Sequence, residues 1–292
     1  MVAWQPIVER AIDLFQLPFM QRALWGGIFT GAMGGALGSF TILRQLSFFS
    51  DALGHSALLG ISLGVVLGLN PSLVLLPFAV LFALVVTYLL ERTRLWTDAL
   101  LNIIYSASLA LAIVLLSFAD RYRGGLNNLL FGDILAVQPQ DLLLSGVLCG
   151  IVALFVVLTL RVQLLMTVNE TLAVARGVAV DGQRLLFITL LALVVAVSIK
   201  TVGVLLISAF VVIPACSARL WSRQFSHYVL LASGVGVGSA VTGILLSAAF
   251  NLPSGPSIVL CQLAIFGVSV VVNGGSRQRR TRHQVPVNSG GT

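Results

Sequence analysis

Long apolar runs recur along nearly the whole chain, and they constrain its fold more than any other feature. A helix that crosses the hydrocarbon core of a bilayer needs roughly 20 apolar residues, and most of these runs approach that length. Only 9% of the 292 residues are charged, whereas a soluble domain carries about 25%. The sequence therefore predicts an all-α polytopic membrane protein and excludes a soluble domain with one anchor.

The runs predict eight or nine transmembrane helices. The candidate spans are 23–43, 48–69, 71–90, 98–118, 141–160, 185–199, 202–218, 227–249 and 256–273. The sixth is short for a span, and little more than "KTVG" separates it from the seventh. These two segments therefore form either a tight hairpin or a broken helix.

The flanking segments have a different composition. Residues 1–20 mix aromatic and charged side chains, which favours a helix lying at the membrane interface before a transmembrane domain over 21–273. Residues 274–292 are polar, basic and rich in glycine, so we expect a disordered tail. Most of the 17 basic residues fall on one side if nine spans begin outside, which predicts a cytoplasmic C-terminus. Charges that fix orientation in this way account for the basic character without a nucleic-acid partner.

Small residues recur every four positions in several spans. In lipid such stripes let helix backbones approach closely, so we interpret them as packing surfaces. They are Gly27, Gly31 and Gly35 in the first span, Gly60, Gly64 and Gly68 in the second, and Gly234 and Gly238 in the eighth.

The second span carries an acid and an imidazole, Asp51 and His55, in the stretch "SDALGHS". A charge within a span costs roughly 2.5–3.5 kcal/mol on insertion scales, so both groups should face protein or water. Helical geometry puts them on one face, and Ser62 returns to it two turns later. The pair fits a structural hydrogen bond, a proton relay or a transient site for Zn²⁺, Mn²⁺ or Fe²⁺.

Two further acids lie near the spans. Asp98 opens the fourth span, where a carboxylate also suits the helix dipole. Asp133 lies in "LLFGDILAV", between the fourth and fifth spans. Each is either structural or an additional metal ligand.

No catalytic motif accompanies these residues. The sequence contains no GxxxxGK[ST] phosphate loop, no GxSxG and no HExxH, so it predicts neither ATP hydrolysis by that route nor another enzymatic activity. The longest inner loop instead carries a short helical pattern, "NETLAVARG", with Asn169 as N-cap and Gly177 as the stop. This segment is either a docking element or an interfacial helix.

Four stretches, taken together and in this order, resemble the permease subunits of zinc and manganese ABC importers, the ZnuB-type family, over about residues 20–273. They are "GALGSFTILRQLSFFSDALGHSALLG", "LLFGDILAV", "KTVGVLLISAFVVIPACSARL" and "LPSGPSIVLCQLAIF". The Asp and His of "SDALGHS" match the family segment, although Ser50 and Gly54 depart from its common residues.

The resemblance implies an all-helical permease fold related to the vitamin B12 importer type, in a bacterial inner or plasma membrane. It further implies a homodimer, two cytoplasmic ATPase subunits and an extracytoplasmic metal-binding protein. Asp51 and His55 match residues that line the family's metal path. The segment from Glu170 to Gly177 matches its coupling helix, so Glu170, Arg176 and Gly177 become candidate coupling residues.

The cargo stays open between two metals, and no permanently bound cofactor is expected. The overall likeness favours Zn²⁺, with Mn²⁺ as the alternative. The fourth span reads "IIYSASLALA", without the histidine that some zinc permeases carry there. A proton-coupled secondary transporter is the alternative of another class, and it would work without an ATPase.

Overall fold

The computed structural model of the protein describes residues 17–93, 95–118, 137–204 and 206–282. Over these residues the chain forms ten helices and no strands. They are α1 (Pro18–Leu43), α2 (Phe49–Val66), α3 (Pro71–Arg92), α4 (Thr97–Ser117), α5 (Pro139–Val168), α6 (Glu170–Ala175), α7 (Val180–Val202), α8 (Ile207–Trp221), α9 (Phe225–Phe250) and α10 (Ser254–Arg282). Eight of them are long and apolar enough to cross a membrane. The predicted all-α polytopic class is therefore confirmed.

Residues with special backbone geometry set several helix ends. Proline stands in the first turn of α1 and of α5, where its missing N–H costs nothing. Gln138 and Asp141 form a reciprocal capping box at the start of α5. Gly203 ends α7 with a φ of 91°, a value that residues with a side chain rarely adopt.

Helix α1 lies at the centre of the bundle and packs against α9, α8, α5 and α7. Its contact with α9 is the most extensive between any two described helices, and it is made by backbone. A methyl group on Gly31 would overlap the carbonyl group of Gly236, and one on Gly35 would overlap that of Ala232. The predicted packing role of Gly31 and Gly35 is therefore confirmed.

The other glycine stripes behave differently. Gly60 packs against the ring of Phe78 on α3, as a packing surface should. Gly234, Gly238 and Gly68 have open space where a side chain would lie. These three glycines therefore make no close helix contact within the described part of the chain, and Gly236 makes the contact on α9 instead.

One end of the bundle is marked by the short helix α6, and we term it the α6 end. Residues from the end of α1, the end of α3, the start of α4 and the start of α7 line a single pocket there with Glu170. Successive long helices therefore run in alternating directions, as expected for successive membrane spans joined by short loops.

The first residue of helix α2 is buried in the bundle. The ring of Phe49, its first residue, packs edge-on against Phe82 at a centroid distance of 5.7 Å. Phe49 is fully buried, and Leu46, one turn before it, lines the pocket at the α6 end. The first turn of α2, with Asp51, therefore starts near that end of the bundle.

Helices α7 and α8 form a hairpin that turns halfway along the bundle. The hydroxyl groups of Thr201 and Thr30 are 3.3 Å apart, and Thr30 is in the middle of α1. The turn also faces α2, because Gly54 lies against Val204 and Ile207. The predicted hairpin is observed, but the prediction of a short sixth helix is wrong: α7 has 23 residues and α8 only 15.

The outer boundaries also differ from the predicted ones. Helix α1 begins at Pro18, so the end of the predicted interfacial segment belongs to the first long helix. Helix α10 continues to Arg282, so the predicted tail begins inside it. Residues 1–16 and 283–292 lie outside the described residues.

We predict that Gly236→Ala destabilises the protein, because its methyl group would overlap the backbone of α1. Overpacking of this kind costs about 1–3 kcal/mol. The measurement is the thermal unfolding midpoint of the purified protein in detergent. Gly238→Ala is the matched control on the same helix, with open space at its methyl position. An equal fall in both variants would contradict the backbone contact.

Candidate functional site

Asp51 and His55 lie one turn apart on α2 and face the same side, as predicted. The Nδ1 atom of His55 is 3.0 Å from the backbone oxygen of Asp51 and 3.7 Å from its carboxylate Oδ1. The two side chains are 20% and 29% exposed for His55 and Asp51 respectively, so neither is fully buried. The pair is therefore neither sealed in the core nor open to lipid on all sides.

The backbone contact defines what His55 can do. A carbonyl oxygen only accepts hydrogen bonds, so Nδ1 donates here when it carries the proton. The other ring nitrogen, Nε2, then has a free lone pair, which is the form that binds metals. Tyr105 of α4 fixes the ring plane, since the two rings meet edge-on at 5.1 Å and 81°.

A cleft of about 650 Å³ opens beside Asp51. Its lining combines two carboxylates, one carboxamide, two hydroxyl groups and one phenyl ring. The residues are Ser47, Phe48, Asp51, Asp98, Asn102 and Ser208. Three separate parts of the chain supply them: the start of α2, the start of α4 and the first turn of α8.

The structure thus brings together two of the predicted metal residues, Asp51 and Asp98. His55 flanks the cleft without being among the residues that line it. Ser62 is buried, and its hydroxyl donates to the backbone oxygen of Leu59 at 2.9 Å, so it does not line the cleft. Asp133 lies outside the described residues.

Three polar residues of the cleft had not been predicted: Ser47, Asn102 and Ser208. Asn102 follows Asp98 by one turn, and this spacing was a usable signal for a shared helix face. Ser208 carried no such signal, because it reaches the cleft only through the turn between α7 and α8.

The oxygen atoms of the cleft do not form a closed metal cage. Within the part of the chain that the structure describes, no three His, Cys, Asp or Glu side chains are close enough to hold an ion together. An ion here would meet two carboxylates, weaker oxygen donors and water. Such a site suits brief binding, because one or two carboxylates hold an ion that keeps water among its ligands.

The short helix α6 has the boundaries that the sequence predicted. The side-chain oxygen of Asn169 accepts from the backbone N–H of Leu172 at 3.0 Å, which caps the helix. Gly177 has a φ of 78° and stops it. Arg176, also exposed, forms the C-terminal turn, where its backbone N–H bonds to the last carbonyl groups of α6.

Helix α6 is held to the bundle and presents an apolar surface outward. Arg184 of α7 donates to the carboxylate of Glu170 at 2.6 Å, and Ala173 is fully buried. Leu172 and Val174 are 42% and 59% exposed. Glu170 therefore anchors the segment, while its neighbours are available to a partner.

The comparisons with known proteins agree on one family. The model of the ABC 3 transport family matches residues 16–273. The manganese import system permease protein ScaB of Streptococcus gordonii is 36% identical over 96% of this chain and 99% of its own. The high-affinity zinc uptake system membrane protein ZnuB of Haemophilus influenzae is 34% identical over 88% and 98%.

A solved structure supports the same assignment. A chain of PsaBC from Streptococcus pneumoniae, determined in complex with a Fab, is 32% identical to this chain and superposes with a TM-score of 0.79. The likeness covers 90% of this chain and 95% of that one. The all-helical permease fold and the resemblance predicted from the sequence are therefore confirmed, and the chain belongs to the ABC 3 transport family, as a membrane permease subunit that is not itself an enzyme.

Proposed function

We propose that this permease subunit imports Mn²⁺, rather than the Zn²⁺ that the sequence favoured. The cleft beside Asp51 carries the proposal, because oxygen atoms supply every metal-binding group of its lining and the nearby imidazole of His55 lies outside that lining. Carboxylate, carboxamide and hydroxyl oxygens suit Mn²⁺, whereas imidazole and thiolate groups favour Zn²⁺. Some relatives of this chain are named for manganese import and others for zinc uptake, so family membership alone does not decide between the two metals.

The cleft also fits an ion in transit. Asp51 and Asp98 supply the charge that draws a cation away from water, and the two serines and Asn102 supply neutral oxygens. His55 lies beside the cleft, and its imidazole nitrogen is available to bind an ion briefly as the ion enters or leaves. Because the donors come from three helices, a change in helix positions would separate them and release the ion.

The α6 end is the cytoplasmic end in this proposal. Most arginines flanking the long helices gather there, including Arg44, Arg92 and Arg219, while Arg22 lies near the opposite end. This is the distribution that the positive-inside rule describes. It supports a cytoplasmic C-terminal helix end, with the opposite face of the bundle turned toward an extracytoplasmic metal-binding protein.

Helix α6 is the proposed docking element for the ATPase subunits, with a second copy of the permease completing a homodimer. The support is a short capped helix at the cytoplasmic end whose apolar residues face outward. Glu170 and Gly177 hold its shape, and Arg176 adds an exposed positive charge beside it. The family match argues against the proton-coupled transporter, which would need no such element.

We expect the assembled transporter, reconstituted in liposomes with its ATPase and binding protein, to accumulate Mn²⁺ when ATP is supplied. A tenfold excess of Zn²⁺ should reduce Mn²⁺ uptake less than the same excess of unlabelled Mn²⁺. Asn102→His should strengthen the Zn²⁺ competition, because it adds an imidazole to the cleft. Zinc as the better competitor against the wild type would reverse the assignment, and uptake without ATP would favour the secondary transporter.

We predict that Asp51→Asn and Asp98→Asn each lower the rate of metal uptake by about tenfold or more. Each change keeps the side-chain shape and removes one charge that offsets the dehydration of the ion. The control is Asp181→Asn, an exposed acid in the first turn of α7 at the same end of the bundle. Unchanged uptake in both cleft variants would leave the Asp51 and His55 contact as a structural hydrogen bond.

We predict that Val174→Asp weakens binding of the ATPase subunits, because it introduces a charge on the outward apolar face of α6. Co-purification of the ATPase with tagged permease measures the effect. Gln224→Asp is the control, because it introduces the same charge at the α6 end but away from α6. Gln224 is the exposed N-cap residue of α9, a position that favours aspartate. Equal ATPase recovery from both variants would refute docking at α6.

A further inference from the structure

Arg44 stands at the junction between α1 and α2, and its side chain reaches across to α5. One terminal nitrogen donates to the side-chain oxygen of Gln163 at 2.5 Å and to its backbone oxygen at 3.2 Å. The Nε atom donates to the hydroxyl of Thr167 at 3.2 Å. Three hydrogen bonds therefore tie the loop before α2 to the last turns of α5, immediately before α6.

The same contact continues to α7. The amide nitrogen of Gln163 donates to the side-chain oxygen of Gln183 at 2.9 Å, and Gln163 is fully buried. The guanidinium carbon of Arg44 also lies 4.7 Å from the ring centre of Phe187. Arg44 thus touches both helices that flank α6, α5 through the N–H edge of its planar group and α7 through a face of that group.

The charges of this cluster act on one another. Burial, reinforced by the positive charge of Arg184 and opposed by the negative charge of Glu170, lowers the pKa of Arg44 to about 10. Arg44 therefore keeps its charge at neutral pH, and it interacts electrostatically with Arg184 and Glu170, the ion pair that anchors α6. All three groups line one pocket of about 360 Å³ at the α6 end.

The cluster spans a gap between α6 and α2. Helix α2 packs against α4, α3, α7 and α8, but it has no extensive contact with α5 or α6. Only a short loop joins Arg44 to Phe49, and the cleft residues Ser47 and Asp51 lie on this loop and in the first turn of α2. A displacement of α5 relative to α1 would therefore act on the cleft through Arg44.

We propose that Arg44 is a positioning residue that couples movement of the docking helix α6 to the metal cleft. The inference rests on the proposed docking of ATPase subunits at α6. When ATPase subunits shift α6, the ends of α5 and α7 move with it, and the three hydrogen bonds of Arg44 carry that movement to the start of α2. Without them, ATP hydrolysis proceeds but moves less metal.

The experiment measures metal uptake and ATP hydrolysis together in liposomes that contain the complete transporter, with Mn²⁺ as the probe. For Arg44→Gln we expect the ratio of metal imported to ATP hydrolysed to fall about tenfold, within the range of typical coupling factors. ATPase binding should stay at the wild-type level, because α6 keeps its own cap and its ion pair. Arg44→Lys should give an intermediate ratio, since it keeps the charge and loses the planar fork.

Two further variants make the result decisive. Arg161→Gln removes an exposed arginine of α5 near the same end and should leave the ratio unchanged. Thr167→Val removes the contact with Nε together with the hydroxyl's own hydrogen bond to the backbone oxygen of Gln163. It leaves both contacts of Arg44 with Gln163, so it should lower the ratio less than Arg44→Gln, and it also decides the matter if Arg44→Gln does not assemble. A wild-type ratio in Arg44→Gln, or in Thr167→Val when the former is unstable, would overturn the proposal.

The outcomes also distinguish the coupling role of Arg44 from the docking of ATPase subunits at α6, on which it rests. If Val174→Asp leaves ATPase binding intact, docking at α6 fails whatever Arg44 does, and the coupling proposal fails with it. If Val174→Asp abolishes binding while Arg44→Gln keeps the wild-type ratio, docking stands and only the coupling role of Arg44 is lost.

Discussion

The backbone contact between α1 and α9 supports the rest of the bundle. In lipid there is little hydrophobic gain from bringing two helices together, so close packing and polar contacts must hold them. Gly31, Gly35 and Gly236 remove the side chains that would keep the two backbones apart. With α1 held at the centre, α5, α7 and α8 pack around it, and the helices α2 and α4 that line the cleft pack on the outer side of this group.

The turn between α7 and α8 explains how polar groups come to lie so deep. A full-length helix would carry its first residues to the membrane surface, but α8 begins halfway along the bundle. Irregular backbone at that depth is tolerated where protein or a water-filled cavity surrounds it. Here Gly54 leaves room for the turn, and Ser208 faces a cleft that already holds two carboxylates. The turn between α7 and α8 therefore contributes an oxygen ligand, the hydroxyl of Ser208, to the cleft.

Local patterns in the sequence were sufficient for the class, the order of the long helices and the shape of α6. Asn169 and Gly177 mark that helix because caps depend only on neighbouring residues. Helical spacing also sufficed for Asp51 and His55. It did not identify Gly236 as the α9 contact, since spacing defines a face but not which neighbour the face meets. Ser208 and Arg44 lay beyond local reasoning, because long-range packing alone determines their contacts.

The position of Asp51 has an energetic consequence for the whole assembly. A carboxylate pair within the bundle repels itself when no cation is present, and this repulsion is strong where the surroundings are less polarisable than water. Under the proposed function, a divalent ion bound by Asp51 and Asp98 would offset this repulsion and favour a closer approach of α2 and α4. The loop that carries Arg44 joins α2 to α1. Through this loop, ion binding in the cleft affects the position of the helices at the α6 end, and a movement at the α6 end affects the cleft. Coupling of this kind is reciprocal by thermodynamic necessity, so a metal ion in the cleft should alter how the ATPase subunits meet α6.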